Sequence, residues 1–172
     1  SMQHAGSDEA IFDVPASQIL ESFTSAASLE NSTARIEDVS VVLDQLEIWN
    51  TDSQHALYQK LDLNRVGMSG HSFGAVTTQA VSGQTLFTTA SATRDPRIKA
   101  ATALSPSLPS FGDPEAAFAS VDIPWLFMTG TKDDAPVKGV GSSVDGRLAV
   151  FPALPEGDFY ELVLFEGEHH AF

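Results

Sequence analysis

The stretch that decides the fold reads Leu63-Asn64-Arg65-Val66-Gly67-Met68-Ser69-Gly70-His71-Ser72-Phe73-Gly74-Ala75-Val76-Thr77-Thr78-Gln79-Ala80-Val81-Ser82. Residues 63–69 read as a short strand, and 75–82 can be helical up to Gly83. Between them lies Gly70-His71-Ser72-Phe73-Gly74, a G-x-S-x-G pattern. A serine at such a tight strand-to-helix turn projects its Oγ above the sheet edge. Glycines two residues to either side let strand and helix approach closely. The amide after the serine, that of Phe73, stands at a helix start, where donors lack intrahelical partners and the dipole favours negative charge. It is therefore a candidate oxyanion donor. The plainer alternative is an ordinary glycine-rich turn in which Ser72 caps the helix. His71 reads as structural, because a base for Ser72 must face it from another loop.

Outward from this element, residues 99–104, 125–129 and 160–165 read as three more strands. All are near-continuous apolar runs, the pattern of a parallel sheet covered on both faces. Helix-competent segments at 72–82, 113–120 and about 144–153 separate them. Upstream, a short helix is expected near 15–28 and a stronger one over 32–50. In the latter Ile36, Val39, Leu43 and Leu46 share a face, with Ser32 or Thr33 as cap. Alternating strands and helices predict an α/β fold with a mostly parallel sheet flanked by helices.

The chain has 172 residues, so one domain is expected. Nine basic residues face 23 acidic ones, a net charge of −14. Such a surface repels phosphate backbones and anionic membranes, which argues against a nucleic-acid partner. Cysteine is absent, which excludes disulfide scaffolds, thiolate zinc sites and a thiol nucleophile. No apolar run reaches membrane-spanning length. No phosphate-binding G-x-x-x-x-G-K-[ST] loop occurs.

A nucleophilic serine needs a base, and the base needs an orienting carboxylate. Both follow later strands: Gly130-Thr131-Lys132-Asp133-Asp134 after the third, Gly167-Glu168-His169-His170-Ala171-Phe172 after the fourth. Loops beyond the carboxyl ends of parallel strands line one sheet edge, so these groups converge on Ser72. Asp133 and His170 are the expected acid and base, each three residues after a glycine; Asp134 and His169 are their alternatives. His55 reads as a surface residue. A metal site built from His169, His170, Asp133 and Asp134 is a weaker reading, since adjacent histidines at a strand end point apart. No metal or cofactor is expected. Phe73, Leu108, Phe111 and Trp125 read as core rather than as an acyl pocket.

The chain resembles α/β-hydrolases of the dienelactone hydrolase-like and platelet-activating-factor acetylhydrolase-like group. The resemblance rests on residues 65–74, on Asp95-Pro96-Arg97-Ile98-Lys99-Ala100-Ala101, on Leu104-Ser105-Pro106, and on the segments at 130–133 and 167–172. It implies a Ser–Asp–His hydrolase acting on carboxylic esters, with Ser72, Asp133 and His170 matching nucleophile, acid and base. His4-Ala5-Gly6-Ser7-Asp8 is similar to the loop after the fourth strand of such enzymes. Against that pattern, the earlier strands, the segment giving a second oxyanion donor and the closing helix are not found. The expectation is a single hydrolase domain, incomplete at both ends. Its open sheet edge would be covered by another chain or a second copy. The competing expectation is a non-catalytic or weakly active fragment that needs a missing segment or partner to complete its oxyanion hole.

Overall fold

The structure is a computed structural model and describes Met2, His4 and residues 13–86, 93–135 and 143–172. The 4–8 loop therefore lies, but for His4, outside the described residues. The chain divides into two compact units, Ser1–Val66 and Gly67–Phe172.

In the first unit, helix α1 spans Ile19–Ala26 and helix α2 spans Leu29–Thr51. The cap expected at Ser32 or Thr33 is corrected: α2 begins earlier, and the Ser28 side chain accepts from Asn31 N at 3.1 Å. The Ser32 and Thr33 hydroxyls instead donate back to Ser28 O (2.9 Å) and Leu29 O (3.0 Å) inside the first turns. Any of the three serine and threonine side chains can cap, and the chain direction entering the helix chose the first. α2 buries Ile36, Val39 and Leu43, together with Arg35. His4 Nδ1 lies 2.8 Å from Asp38 Oδ2. His55 stacks on Trp49, ring centroids 4.8 Å apart.

The second unit contains a four-stranded sheet in the order β1-β2-β3-β4: Val66–His71, Ile98–Leu104, Trp125–Lys132 and Phe159–Glu168. Strand β3 pairs in parallel with β2 and with β4. Helices α3 (Phe73–Val81), α4 (Pro114–Phe118) and α5 (Val144–Leu148) occupy the connections. Asp113 caps α4 through Glu115 N and Ala116 N, and Pro114 suits its first turn. The single helix expected near 144–153 is instead α5 followed by a 3-10 turn at Phe151–Ala153.

The core gathers on β2 and β3. Ala101, Ala103, Trp125 and Phe127 pack with Ala75, Phe118, Val121 and Val150. Trp125 meets Phe118 edge-on at 6.2 Å and Phe127 at 5.3 Å. Trp125 thus belongs to the core, with Leu108 packed against it. Phe111, expected in the core, is 91 % exposed. The apolar run of β4 likewise does not mean burial, since Tyr160 and Phe165 are largely exposed. An apolar run marks a strand able to be covered; it does not itself supply the cover.

Candidate active site

Ser72 joins β1 to α3 with φ 56° and ψ −115°, a backbone setting that side-chain-bearing residues seldom adopt. Its amide donates to Leu104 O at 2.9 Å, which ties the turn to the end of β2. The amides of Ala75 and Val76 in turn donate to Ser72 O. The two flanking glycines are not equivalent. A Cβ at Gly70 would lie 2.1 Å from Gly74 O, whereas one at Gly74 would meet nothing within 4 Å. Close approach is thus required at Gly70 alone. Ser72 makes no side-chain cap to α3.

The Ser72 Oγ lies 2.9 Å from Nε2 of His169. His169 Nδ1 lies 2.7 Å from Asp133 Oδ1. The carboxylate fixes the tautomer: Nδ1–H donates to Asp133, so Nε2 carries the lone pair that accepts the Ser72 hydroxyl proton. This corrects the expectation for His170. That residue is exposed, and its ring stands beside that of His169, centroids 5.3 Å apart. Counting from a glycine failed because β4 carries a register shift. Gly130 pairs with Leu164, but Lys132 pairs with Glu168. Glu166, at φ 57°, absorbs the irregularity. The next residues along the two strands are Asp133 and His169, and these are the two that meet. A close passage lies alongside, since a Cβ on Gly130 would sit 2.0 Å from Gly167 O.

Asp133 is wholly buried. Its Oδ2 accepts from Ser105 Oγ at 2.7 Å and from Thr129 Oγ1 at 2.9 Å. Arg147 Nε stands 3.2 Å from Oδ1 and donates to the Asp133 backbone carbonyl at 2.8 Å. Asp134 points elsewhere, its Oδ1 accepting from Val144 N at 3.3 Å. His71 Nε2–H donates to His169 O at 2.7 Å, holding the His169 backbone. Burial holds the His169 imidazole below its ordinary range; the hydrogen bond to Asp133 opposes this, and the positive charge of Arg147 adds to it.

Sequence reasoning assigned no role to Ser105, Thr129 or Arg147. Ser105 carried a weak signal in Leu104-Ser105-Pro106 and adopts φ 55°. Arg147, in Val144-Asp145-Gly146-Arg147-Leu148, looks like any surface-helix charge. Among the described residues no group of three or more His, Cys, Asp or Glu is placed to hold a metal ion. Among them, too, no helix is long and apolar enough to cross a membrane.

A parallel sheet whose strand ends bring a serine, an imidazole and a buried carboxylate together defines the class: an α/β-hydrolase. The family model described as "PETase: PET hydrolase-like" matches residues 19–170, and the chain belongs to that family of hydrolases. Solved structures agree on the fold. A provisionally assigned dienelactone hydrolase of Klebsiella pneumoniae subsp. pneumoniae is similar at TM-score 0.57 and 16% identity, over 91% of this chain and 57% of that one. A cold-adapted esterase from an Arctic intertidal metagenomic library is similar at TM-score 0.57 and 19% identity, over 90% and 54%. An α/β serine hydrolase homologue from Coxiella burnetii gives 0.50 and 19%, over 83% and 54%. The chain thus spans a little over half the length of these relatives. No curated protein matches it.

Proposed function

We propose that the protein is a serine esterase that cleaves carboxylic esters through an acyl-enzyme, with Ser72, His169 and Asp133 as its catalytic triad. The observation that supports this best is the continuous line from Ser72 Oγ through His169 (2.9 Å) to Asp133 (2.7 Å). In the proposed cycle His169 Nε2 takes the Ser72 proton as Oγ attacks the ester carbonyl. The Phe73 amide, at the first turn of α3, donates to the oxyanion that forms. Asp133 holds the ring in the required tautomer and stabilises the imidazolium. That imidazolium then protonates the departing alcohol. A water deprotonated by the same nitrogen finally releases the acid and restores Ser72.

The ester is a small molecule or the accessible end of a larger one. Simple p-nitrophenyl esters are the first substrates to try, and PET, the ester in the family's description, is the next. A fluorophosphonate should label the chain at Ser72, and Ser72→Ala should abolish both labelling and p-nitrophenyl ester turnover. Undiminished turnover by the variant would remove Ser72 from the mechanism. Absence of labelling in the wild-type chain would favour a non-catalytic hydrolase fold.

A further inference from the structure

The helix α5 carries a guanidinium that the proposed mechanism does not use. Arg147 is 2 % exposed, a costly place for a cation unless its donors are satisfied. Its fork is spread over the machinery. Nε donates to Asp133 O at 2.8 Å and stands 3.2 Å from Asp133 Oδ1. Nη1 donates to Ser105 O and, at 3.0 Å, to Pro106 O. Nη2 stands 3.3 Å from Nδ1 of His169. That last approach is not a hydrogen bond, because the single Nδ1 proton is already directed at Asp133. It sets a cation beside the ring that must become cationic during turnover.

We propose that Arg147 is a positioning residue of the Ser72–His169–Asp133 line: its fork clamps the loop after β3 to the loop after β2, and its guanidinium, 3.3 Å from Nδ1, opposes a positive charge on the His169 ring. The inference rests on the serine-esterase reading. The clamp follows from geometry. Asp133 and Ser105 leave different strands, and one planar group bonds to the backbone of both. Lysine, a point charge on a flexible stem, cannot reproduce that fork. The electrostatic half depends on everything that faces His169. Asp133, from the end of β3, favours the imidazolium. Arg147 from α5 and His71 from β1, ring centroid 4.7 Å away, disfavour it, and His170 lies alongside. Burial and Arg147 together place the ring below its ordinary range, in line with the geometry.

The test is the rate of fluorophosphonate labelling at Ser72 across the acid and neutral pH range, on the full chain, for wild type, Arg147→Met and Arg147→Lys. Labelling needs neutral His169, so the wild-type rate should fall only in acid below the ordinary histidine value of about 6.5. Arg147→Met should move this limb upward by about one pH unit, the size expected for one nearby charge. It should also lower the plateau. Arg147→Lys should keep the limb in place and lower the plateau by about tenfold or more, because the clamp is lost. A folded Arg147→Met with an unmoved limb overturns the proposal. If that variant fails to fold by circular dichroism, Arg147→Lys decides, and a wild-type plateau overturns it. Failure of the wild-type chain to label removes the esterase reading itself, a result distinct from either.

Discussion

At the scale of single residues, the buried carboxylate of Asp133 organises the site. A charge in the interior is tolerated only where donors converge on it, and Asp133 has two hydroxyls, an imidazole N–H and a guanidinium. Each of those donors is thereby fixed in turn, so the His169 ring is aimed by a network and not by one contact. The two neighbouring histidines then differ sharply in what they touch. We expect His169→Ala to lower ester turnover by about 10⁴-fold or more, the scale of losing a triad member. His170→Ala should leave turnover within about threefold, since its exposed ring only stands edge-on beside His169 and makes no hydrogen bond to Ser72 or Asp133. Equal losses from the two would place the base elsewhere. The sequence narrowed the imidazole facing Ser72 to this pair and its carboxylate partner to Asp133 or Asp134, with Asp133 expected. Its glycine spacing pointed to His170, whereas the strand irregularity at Glu166, three residues before His169, brings the His169 ring to Ser72.

At the scale of elements, the turn between β1 and α3 shows that a shared motif can conceal unequal needs. Gly70 is forced by contact, since a methyl there would strike the Gly74 carbonyl at 2.1 Å. Gly74 has open space around its Cα. Gly70→Ala should therefore destabilise the fold by about 3 kcal/mol or more, the cost of overpacking against rigid backbone. Gly74→Ala should be neutral or stabilise by about 0.5 kcal/mol through the unfolded chain. Urea midpoints of the two variants check this, and similar losses from both would contradict the geometry. The same lesson holds for α2. Its apolar periodicity was legible, but the expected caps were Ser32 and Thr33, and the chemically similar Ser28 was passed over. Only the path of the chain into the helix selected Ser28. For β4 the run of apolar residues located the strand, while its exposure depends on which neighbours lie over it.

At the scale of the whole molecule, charge matters most. A net −14 over 172 residues means mutual repulsion that compact folding concentrates. Salt should relieve it. Raising ionic strength to about 0.5 M, where screening acts within a few ångströms, should raise the melting temperature by a few degrees. A fall in melting temperature would show that attractive ion pairs outweigh the repulsion. Arg65–Asp62 and Lys132–Glu166 are exposed pairs of the kind that contributes little.

What the sequence determined by itself was whatever depends on neighbours along the chain. Periodicity placed the strands and helices, and the strand–serine–helix turn located Ser72. The order of the later segments put a carboxylate pair and a histidine pair at subsequent strand ends. What only the tertiary structure decided depends on groups distant in the chain: His169 over His170, the donors Ser105 and Thr129 around Asp133, and Arg147 drawn from a surface-like helix into the interior. The physical reason is common to all three. Burial and hydrogen-bond satisfaction belong to points in space, and those points are fixed by strand register and loop path, which no local pattern of residue types encodes.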